Sequence, residues 1–342
     1  MTTLPQELRL TVEEVTIILN EVWRLYGPSV EFRSPSHHYP LVKVSLEHMK
    51  AQPPPRSMLP REAIEDITWS DLVDCYYTAG VLKPENIKEI EGKLRRLSQM
   101  ARQPLEPRKP AVAVDTNQLY TLEAERQLTK HREILPVIPE PCLAELVPKL
   151  ELKATENGLR ELKPEHAAKI RHRESKEARK AKLAYSSALL LLKAGAVKAP
   201  HEGIGDQAVA NSIVELQRQQ LTYSIHLMTA DDNLRMIASA RGIPVIYVKQ
   251  PTDLPESIDL TYQSTVMLAY TLAAYTGSLE LWAQGVRRAT LDAVWPGKTN
   301  EEWVKRELKA EVHTRTLLQQ VEEKTEKLHK IEEELRRLQA AP

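Results

Sequence analysis

Ala111-Val112-Ala113-Val114-Asp115-Thr116-Asn117 decides how the middle of this chain folds. Four small or β-branched apolar residues spell a buried strand, and the run then ends in a carboxylate, a hydroxyl and an amide. Open α/β sheets build their sites in the crevice just beyond such strand ends. A second edge of the same kind comes later, where Ile225-His226-Leu227-Met228-Thr229 is followed by Ala230-Asp231-Asp232. Acids are therefore expected at the tips of two strands.

Working outward, Ile134-Leu135-Pro136-Val137-Ile138 reads as a short strand, and Pro139 and Pro141 open a helix carrying Leu143, Leu146 and Leu150. A charged helical stretch spans about residues 160–193. Gly203-Ile204-Gly205 precedes Asp206 and a helix with Val209, Ser212, Ile213 and Leu216 on one face. After the Ile225–Thr229 strand comes a helix through Leu234, Ile237 and Ala238, closed by Arg241-Gly242, and then Ile243-Pro244-Val245-Ile246-Tyr247-Val248. Such alternation implies a parallel sheet covered by helices. No internal repeat of solenoid length is present.

Before this unit, residues 1–105 read as a helical region. Thr11 and Glu14 form a capping pair ahead of Val15, Ile18, Leu19 and Val22. Ala51-Gln52-Pro53-Pro54-Pro55 reads as a linker, a second short helix fills 61–82, and Pro84 opens a third through about Gln99. Gln103 to Pro110, with three prolines, is the expected domain boundary. The central unit is assigned to 110–252, and residues 255–342 to an all-helical extension. That extension ends in Leu317, Val321, Lys324, Leu328, Ile331, Leu335 and Leu338 at heptad spacing, a short coiled-coil seam with one polar position.

Of 342 residues, 47 are Lys or Arg and 47 are Asp or Glu, so any signal for nucleic acid must be local. Aromatics make up 5% with Phe32 the single Phe, so aliphatic residues must fill the core. Cys75 and Cys142 stand far apart, against a disulfide framework or a zinc site built on cysteine pairs. They are expected to pack as small apolar groups in a reducing, cytoplasmic protein, since the amino terminus has no apolar core of signal-peptide type. Residues 260–279 lack formal charge, yet their Gln, Ser, Thr and Tyr content points to a buried helix and no membrane segment.

Four stretches, taken together, resemble the PIN-domain nuclease pattern. They are Val114-Asp115-Thr116-Asn117, Pro141-Cys142-Leu143-Ala144-Glu145-Leu146, Gly205-Asp206-Gln207-Ala208-Val209-Ala210, and Met228-Thr229-Ala230-Asp231-Asp232-Asn233-Leu234 with Gly242-Ile243-Pro244-Val245-Ile246. The resemblance covers roughly residues 110–250 and leaves both ends unassigned. It implies an α/β/α fold around a central parallel sheet and metal-dependent hydrolysis of phosphodiesters, usually in RNA. Carried over by position, Asp115, Glu145, Asp206 and Asp231 would be catalytic metal ligands, supported by Thr116, Asn117, Thr229 and Asp232. Related flap-type DNA nucleases share this acid arrangement. A silent PIN-like scaffold acting through its terminal helix is a third reading.

The residues support a metal site independently. Four carboxylates gathered in one crevice repel one another unless a cation intervenes, and oxygen ligands suit Mg²⁺ or Mn²⁺. Each acid also has a plain structural alternative. Asp206 and Asp231 precede helices and can act as N-caps. Glu145 can be ordinary helix surface, with Glu140 as its substitute, and Asp232 rivals Asp231. An acid at a buried strand end is costly unless paired, so Asp115 has the weakest alternative.

From Lys163 to Lys182 basic residues outnumber acidic ones, and Lys169, Arg171, Arg173, Lys176, Arg179 and Lys180 are candidate phosphate ligands; a solvated helix face is the plain alternative. His37-His38 lack metal-ligand spacing and read as an exposed loop, while Trp69, Tyr76 and Tyr77 read as core rather than base-stacking groups. No Gly-rich phosphate loop, zinc helix or zinc ribbon accompanies them. The expectation is an Mg²⁺- or Mn²⁺-dependent endoribonuclease, with RNA as partner. The terminal helix would pair with a second chain or fold back on the 255–295 segment.

Overall fold

Two sheets organise the described residues (7–37, 39–103 and 108–340) of the computed structural model. Strands in chain order are β1 (Glu7–Leu10), β2 (Ser29–Arg33), β3 (Val42–Ser45), β4 (Lys50–Gln52), β5 (Lys109–Val114), β6 (Leu135–Pro139) and β7 (Val197–Ala199). They continue with β8 (Tyr223–Thr229), β9 (Val245–Tyr247), β10 (Ile258–Asp259), β11 (Ser278–Ala283), β12 (Val286–Asp292) and β13 (Leu308–Val312).

The central segment builds a five-stranded, all-parallel sheet in the order β7-β6-β5-β8-β9. Its middle strand is the Val-rich run, and Ala111 through Val114 are fully buried, as expected for a parallel strand covered on both faces. The expected α/β unit is thus present. The charged stretch expected over 160–193 is divided, with helices Pro164–Ile170 and Lys176–Lys193 separated by a turn in which His172 takes φ 62°. Residues 104–107 of the proposed proline linker lie outside the described residues, and Lys109 and Pro110 already belong to β5.

The flanks depart from the all-helical expectation. Strands from both ends of the chain interleave in an eight-stranded antiparallel sheet, β1-β13-β12-β11-β2-β3-β4-β10. The period-2 signal is present in the residues: Val30 and Phe32, Val42 and Val44, and Leu308, Ala310 and Val312 point inward along their strands. Ala51 and Gln52, expected in a linker, pair with β3. β11 and β12 form a two-residue hairpin at Gln284-Gly285, where both residues have positive φ (53° and 72°), the requirement of a type I′ turn. Gln in place of the usual Asn or Asp hides that turn. Each end of the chain reads as isolated short apolar runs because β1 and β2 find partners at its far end, as in Leu8↔Ala310 and Phe32↔Leu281.

The expected helices keep their places within this frame. Thr11 and Glu14 exchange hydrogen bonds ahead of helix Val15–Tyr26, and Tyr262–Thr276 is buried on nearly every side beside β11. Among the described residues no helix is long and apolar enough to cross a membrane. The terminal helix Arg315–Ala340 packs on Val15–Tyr26, not on the 255–295 segment. Leu317 and Val321 are buried there, while Ile331, Leu335 and Leu338 of the heptad series are exposed.

Two apolar cores result, one under each sheet, and helix Lys176–Lys193 serves both. Leu183 joins the core of the antiparallel sheet; Ala181, Ala184, Ala188 and Leu191 join that of the parallel sheet. The same helix carries Arg179, which has no exposed surface. Its guanidinium donates to the carbonyls of Ala274 (2.8 Å), Tyr275 (2.8 Å) and Glu174 (2.5 Å), and to Glu65 (3.4 Å), itself fully buried. Replacing Arg179 by Ala would strand the Glu65 carboxylate and these carbonyls. The expected loss is about 3–5 kcal/mol, read by urea denaturation. An R179M/E65Q double variant should recover part of it, and a single-variant loss below about 1 kcal/mol would mean the pair is replaceable by water.

Candidate active site

Strand pairing brings the two acid-bearing tips together. Val114 pairs with Met228, so Asp115 and Thr229 emerge side by side at the carboxyl ends of β5 and β8. The Thr229 hydroxyl donates to Asp115 Oδ2 at 2.6 Å, and Asn117 Nδ2 donates to the same oxygen at 2.6 Å. Asp115 Oδ1 accepts the Thr116 N–H at 2.7 Å, which caps helix Thr116–Tyr120. The backbone N–H of Asp231 in turn donates to Thr229 Oγ1 at 2.9 Å, and Ala230 N–H to Asn117 Oδ1 at 3.2 Å. Thr116 (through its backbone), Asn117 and Thr229 thus all bond to Asp115.

The remaining acids divide. Asp231 caps helix Asp232–Ala240 through Oδ1, accepting from Leu234 N–H at 2.9 Å. One carboxylate oxygen therefore makes the cap and the other makes no protein bond. Its rival Asp232 is exposed and pairs with Arg235 at 2.8 Å. Asp206 is not an N-cap: Gly205, at φ 87°, holds that position, and Asp206 accepts from Asn233 Nδ2 of the neighbouring helix. Glu145 is paired with Lys149 at 3.2 Å. Nearby Cys142 has a buried thiol pushed up first by burial and then by the charges of Asp115 and Glu145. Glu140, the substitute for Glu145, opens helix Glu140–Leu146 directly after β6. Neither Cys142 nor Cys75 forms a disulfide.

The charges of Asp231 and Asp206 both reach Asp115. Burial raises the Asp115 pKa most, the bonds from Thr229 and Thr116 oppose it, and the charges of Asp231 and Asp206 raise it further, to about 6. Such like-charge stress is what a cation relieves. Among the described residues no three His, Cys, Asp or Glu side chains stand close enough to grip a metal together. The available donors are nevertheless all carboxylate oxygens, and Mg²⁺ is commonly held by one or two of these while keeping waters and substrate phosphate oxygens.

Residues 112–249 match the family profile described as PIN domain. This segment is a PIN domain. The match agrees with the stretch from 110 to 250 singled out by its motifs, and PIN domains are nuclease-type hydrolases of phosphodiesters that typically use divalent metal ions. No curated protein matches the chain.

The expected basic rim of the PIN domain is largely internal. Arg179 is sealed in the ion pair with Glu65, and Lys176 is buried with its Nζ on Asp71 (2.8 Å) and on the carbonyls of Ala63 and Asp66. Lys180 bridges Asp71 and Asp74. Lys169 pairs with Asp292 and Arg171 with Glu156, while Arg173 is half-buried. Arg179 and Lys176 are therefore withdrawn from phosphate binding, because an arginine or lysine inside a core must spend its donors on buried acceptors. Tyr76 and Tyr77 are core residues, and Trp69 donates to Asp253. His37 stacks on Tyr39 and meets Asp66 at 3.1 Å; its neighbour His38 lies outside the described residues. Lys149 carries no motif of its own, and its i, i+4 spacing from Glu145 is the signal that finds it.

The raised Asp115 gives a pH prediction. Unfolded, it releases its proton near 3.8; folded and metal-free, near 6. The native state then holds the extra proton between these values, so stability falls as pH rises through the window, by on the order of 3 kcal/mol. Thermal melts in EDTA from pH 4 to 7 should show this decline, and Asp115→Asn should flatten it. An unchanged slope in the variant would assign the titration elsewhere.

Proposed function

We propose that this chain is an Mg²⁺- or Mn²⁺-dependent endoribonuclease whose site is Asp115 with Asp206 and Asp231. The carrying observation is geometric: Asp115 stands buried at the tip of the central strand, with both carboxylate oxygens fixed by Thr116, Asn117 and Thr229 and with Asp231 and Asp206 close enough for their charges to reach it. Asp115 with one of Asp231 and Asp206 would hold the ion, water and phosphate oxygens filling its other positions, and Glu145 is the remaining acid at a family position. When bound, the ion lowers the pKa of water and neutralises charge on the attacked phosphate. Thr229 and Asn117 lock the Asp115 carboxylate in one orientation through bonds to Oδ2. Asn233 does the same for Asp206, and the helix cap fixes Asp231. Lys149 beside Glu145 supplies positive charge at the margin of this acidic cluster. A reducing, cytoplasmic setting belongs to this proposal, on two cysteines without disulfides.

A scaffold reading draws on a different observation, the exposed stripe Ile331, Leu335 and Leu338 on the terminal helix. It would make residues 315–340 the working surface for a protein partner or a second copy. A flap-type activity on branched DNA would use the same acids.

Incubation with single-stranded RNA, hairpin RNA and branched DNA in Mn²⁺ separates these readings. RNA cleavage that falls at least about 100-fold in Asp115→Asn supports the proposal. Thr229→Val should cost roughly 10–100-fold through the misplaced Asp115. Cleavage indifferent to Asp115→Asn would remove the site, and preference for branched DNA would replace the substrate. No cleavage, with capture of a partner that the L335E variant abolishes, would favour the scaffold.

A further inference from the structure

A cleft of about 790 Å³ opens between the PIN domain and the antiparallel-sheet half, and Asn117 stands in its wall. The same Asn117 side chain donates to Asp115, so one residue is common to the cleft and the candidate site. Its volume falls in the range of about 300–1,000 Å³ usual for ligand pockets.

Its lining has two contrasting parts. One is apolar: Ile64 and Leu152, 52% and 41% exposed, are among the few large apolar side chains left in water, and Tyr120 stands beside them. The other is cationic: Lys149, paired with Glu145 at 3.2 Å, lies over the Tyr120 ring at 5.8 Å, and Lys153 is half-exposed, with Glu174 at 3.9 Å. Of the acids in the wall, Asp74 and Glu65 are already paired with Lys180 and Arg179, and Glu177 stands exposed.

The opposite wall is held firmly. Glu161 accepts the backbone N–H groups of Ile64 (2.9 Å), Glu65 (2.9 Å) and Asp66 (3.3 Å), and Lys176 bonds the carbonyls of Ala63 and Asp66. Gly158 permits this close approach, since a Cβ there would sit 2.6 Å from Glu65 Cγ and 3.0 Å from Ile64 Cγ2. The antiparallel-sheet half thereby presents Ile64 to the cleft on a fixed loop.

We propose that this cleft holds single-stranded nucleic acid, with Lys149 and Lys153 on backbone phosphates and Tyr120, Ile64 and Leu152 against the bases, and delivers it to Asp115. The inference rests on the nuclease reading of the PIN site. Ammonium groups satisfy phosphates, and apolar and aromatic walls take the faces of bases. Those faces are free in an unpaired strand and hidden in a duplex. Single-stranded RNA and DNA share this chemistry.

The test is fluorescence anisotropy of the full chain with a labelled oligouridylate, the matching oligothymidylate and a hairpin duplex, in EDTA so that no strand is cut. Wild type should bind a single strand more tightly than the hairpin, and the tighter of the two single strands names the sugar. Lys153→Glu should weaken binding roughly tenfold and lower the slope of log affinity against log salt by about 1. Ile64→Ser should weaken binding without changing that slope. Melting temperatures confirm that the surface variants are folded. Equal affinity and slope in wild type and Lys153→Glu, preference for the hairpin, or no binding at all would overturn the cleft. Lysine-dependent binding without any cleavage in Mn²⁺ would remove the nuclease reading and leave the cleft standing. Cleavage whose KM ignores both Lys153→Glu and Ile64→Ser would do the reverse.

Discussion

The Arg179 guanidinium joins the two halves of the molecule. It leaves the helix shared by both cores and ends on the last carbonyls of the Tyr262–Thr276 helix and on Glu65. A buried arginine is tolerable when its donors meet acceptors, and here the carbonyls of Glu174, Ala274 and Tyr275 supply most of them. Burial pushes the Glu65 carboxyl up, and the neighbouring Arg179 opposes that shift without cancelling it. Beside this pair, Lys176 and Lys180 converge on Asp71. The basic run between the two sheets thus works as an internal clamp, and the cleft toward Asn117 exists because the clamp fixes its walls.

Asp115 occupies a different balance. It lies at the tip of the central strand, where burial penalises its charge and a hydroxyl, an amide and a backbone N–H partly restore it. The plain and the functional readings of these acids prove compatible. Asp115 and Asp231 do cap helices, yet each cap occupies one carboxylate oxygen. Capping orients a carboxylate, and orientation is what a ligand at a strand tip requires.

The flanking halves illustrate why local pattern has limited reach. Helices formed where residues three and four apart could meet, as at Thr11 and Glu14 and along Val15–Tyr26. The strands of the antiparallel sheet are short, and several pair across most of the chain, Glu7 with Glu311 among them. Nothing in a window of ten residues distinguishes such a strand from a loop. The local clues were faint: alternation over four or five residues, as at Val30 and Phe32, and a hairpin at Gln284-Gly285 whose positive-φ turn lacks the usual Asn or Asp.

Sequence by itself determined the PIN domain, because buried parallel strands are continuous apolar runs and their site residues follow at the tips. It also singled out Asp115 as the acid hardest to explain as plain structure, through the cost of burying a charge. Tertiary structure alone decided which cations are free. Charge alone does not tell Arg179 from Lys153, but one is sealed among carbonyls and the other half-exposed at a cleft. It also decided that the two ends of the chain share one sheet. Both outcomes depend on contacts between residues distant along the backbone, and periodicity records only what neighbours can feel.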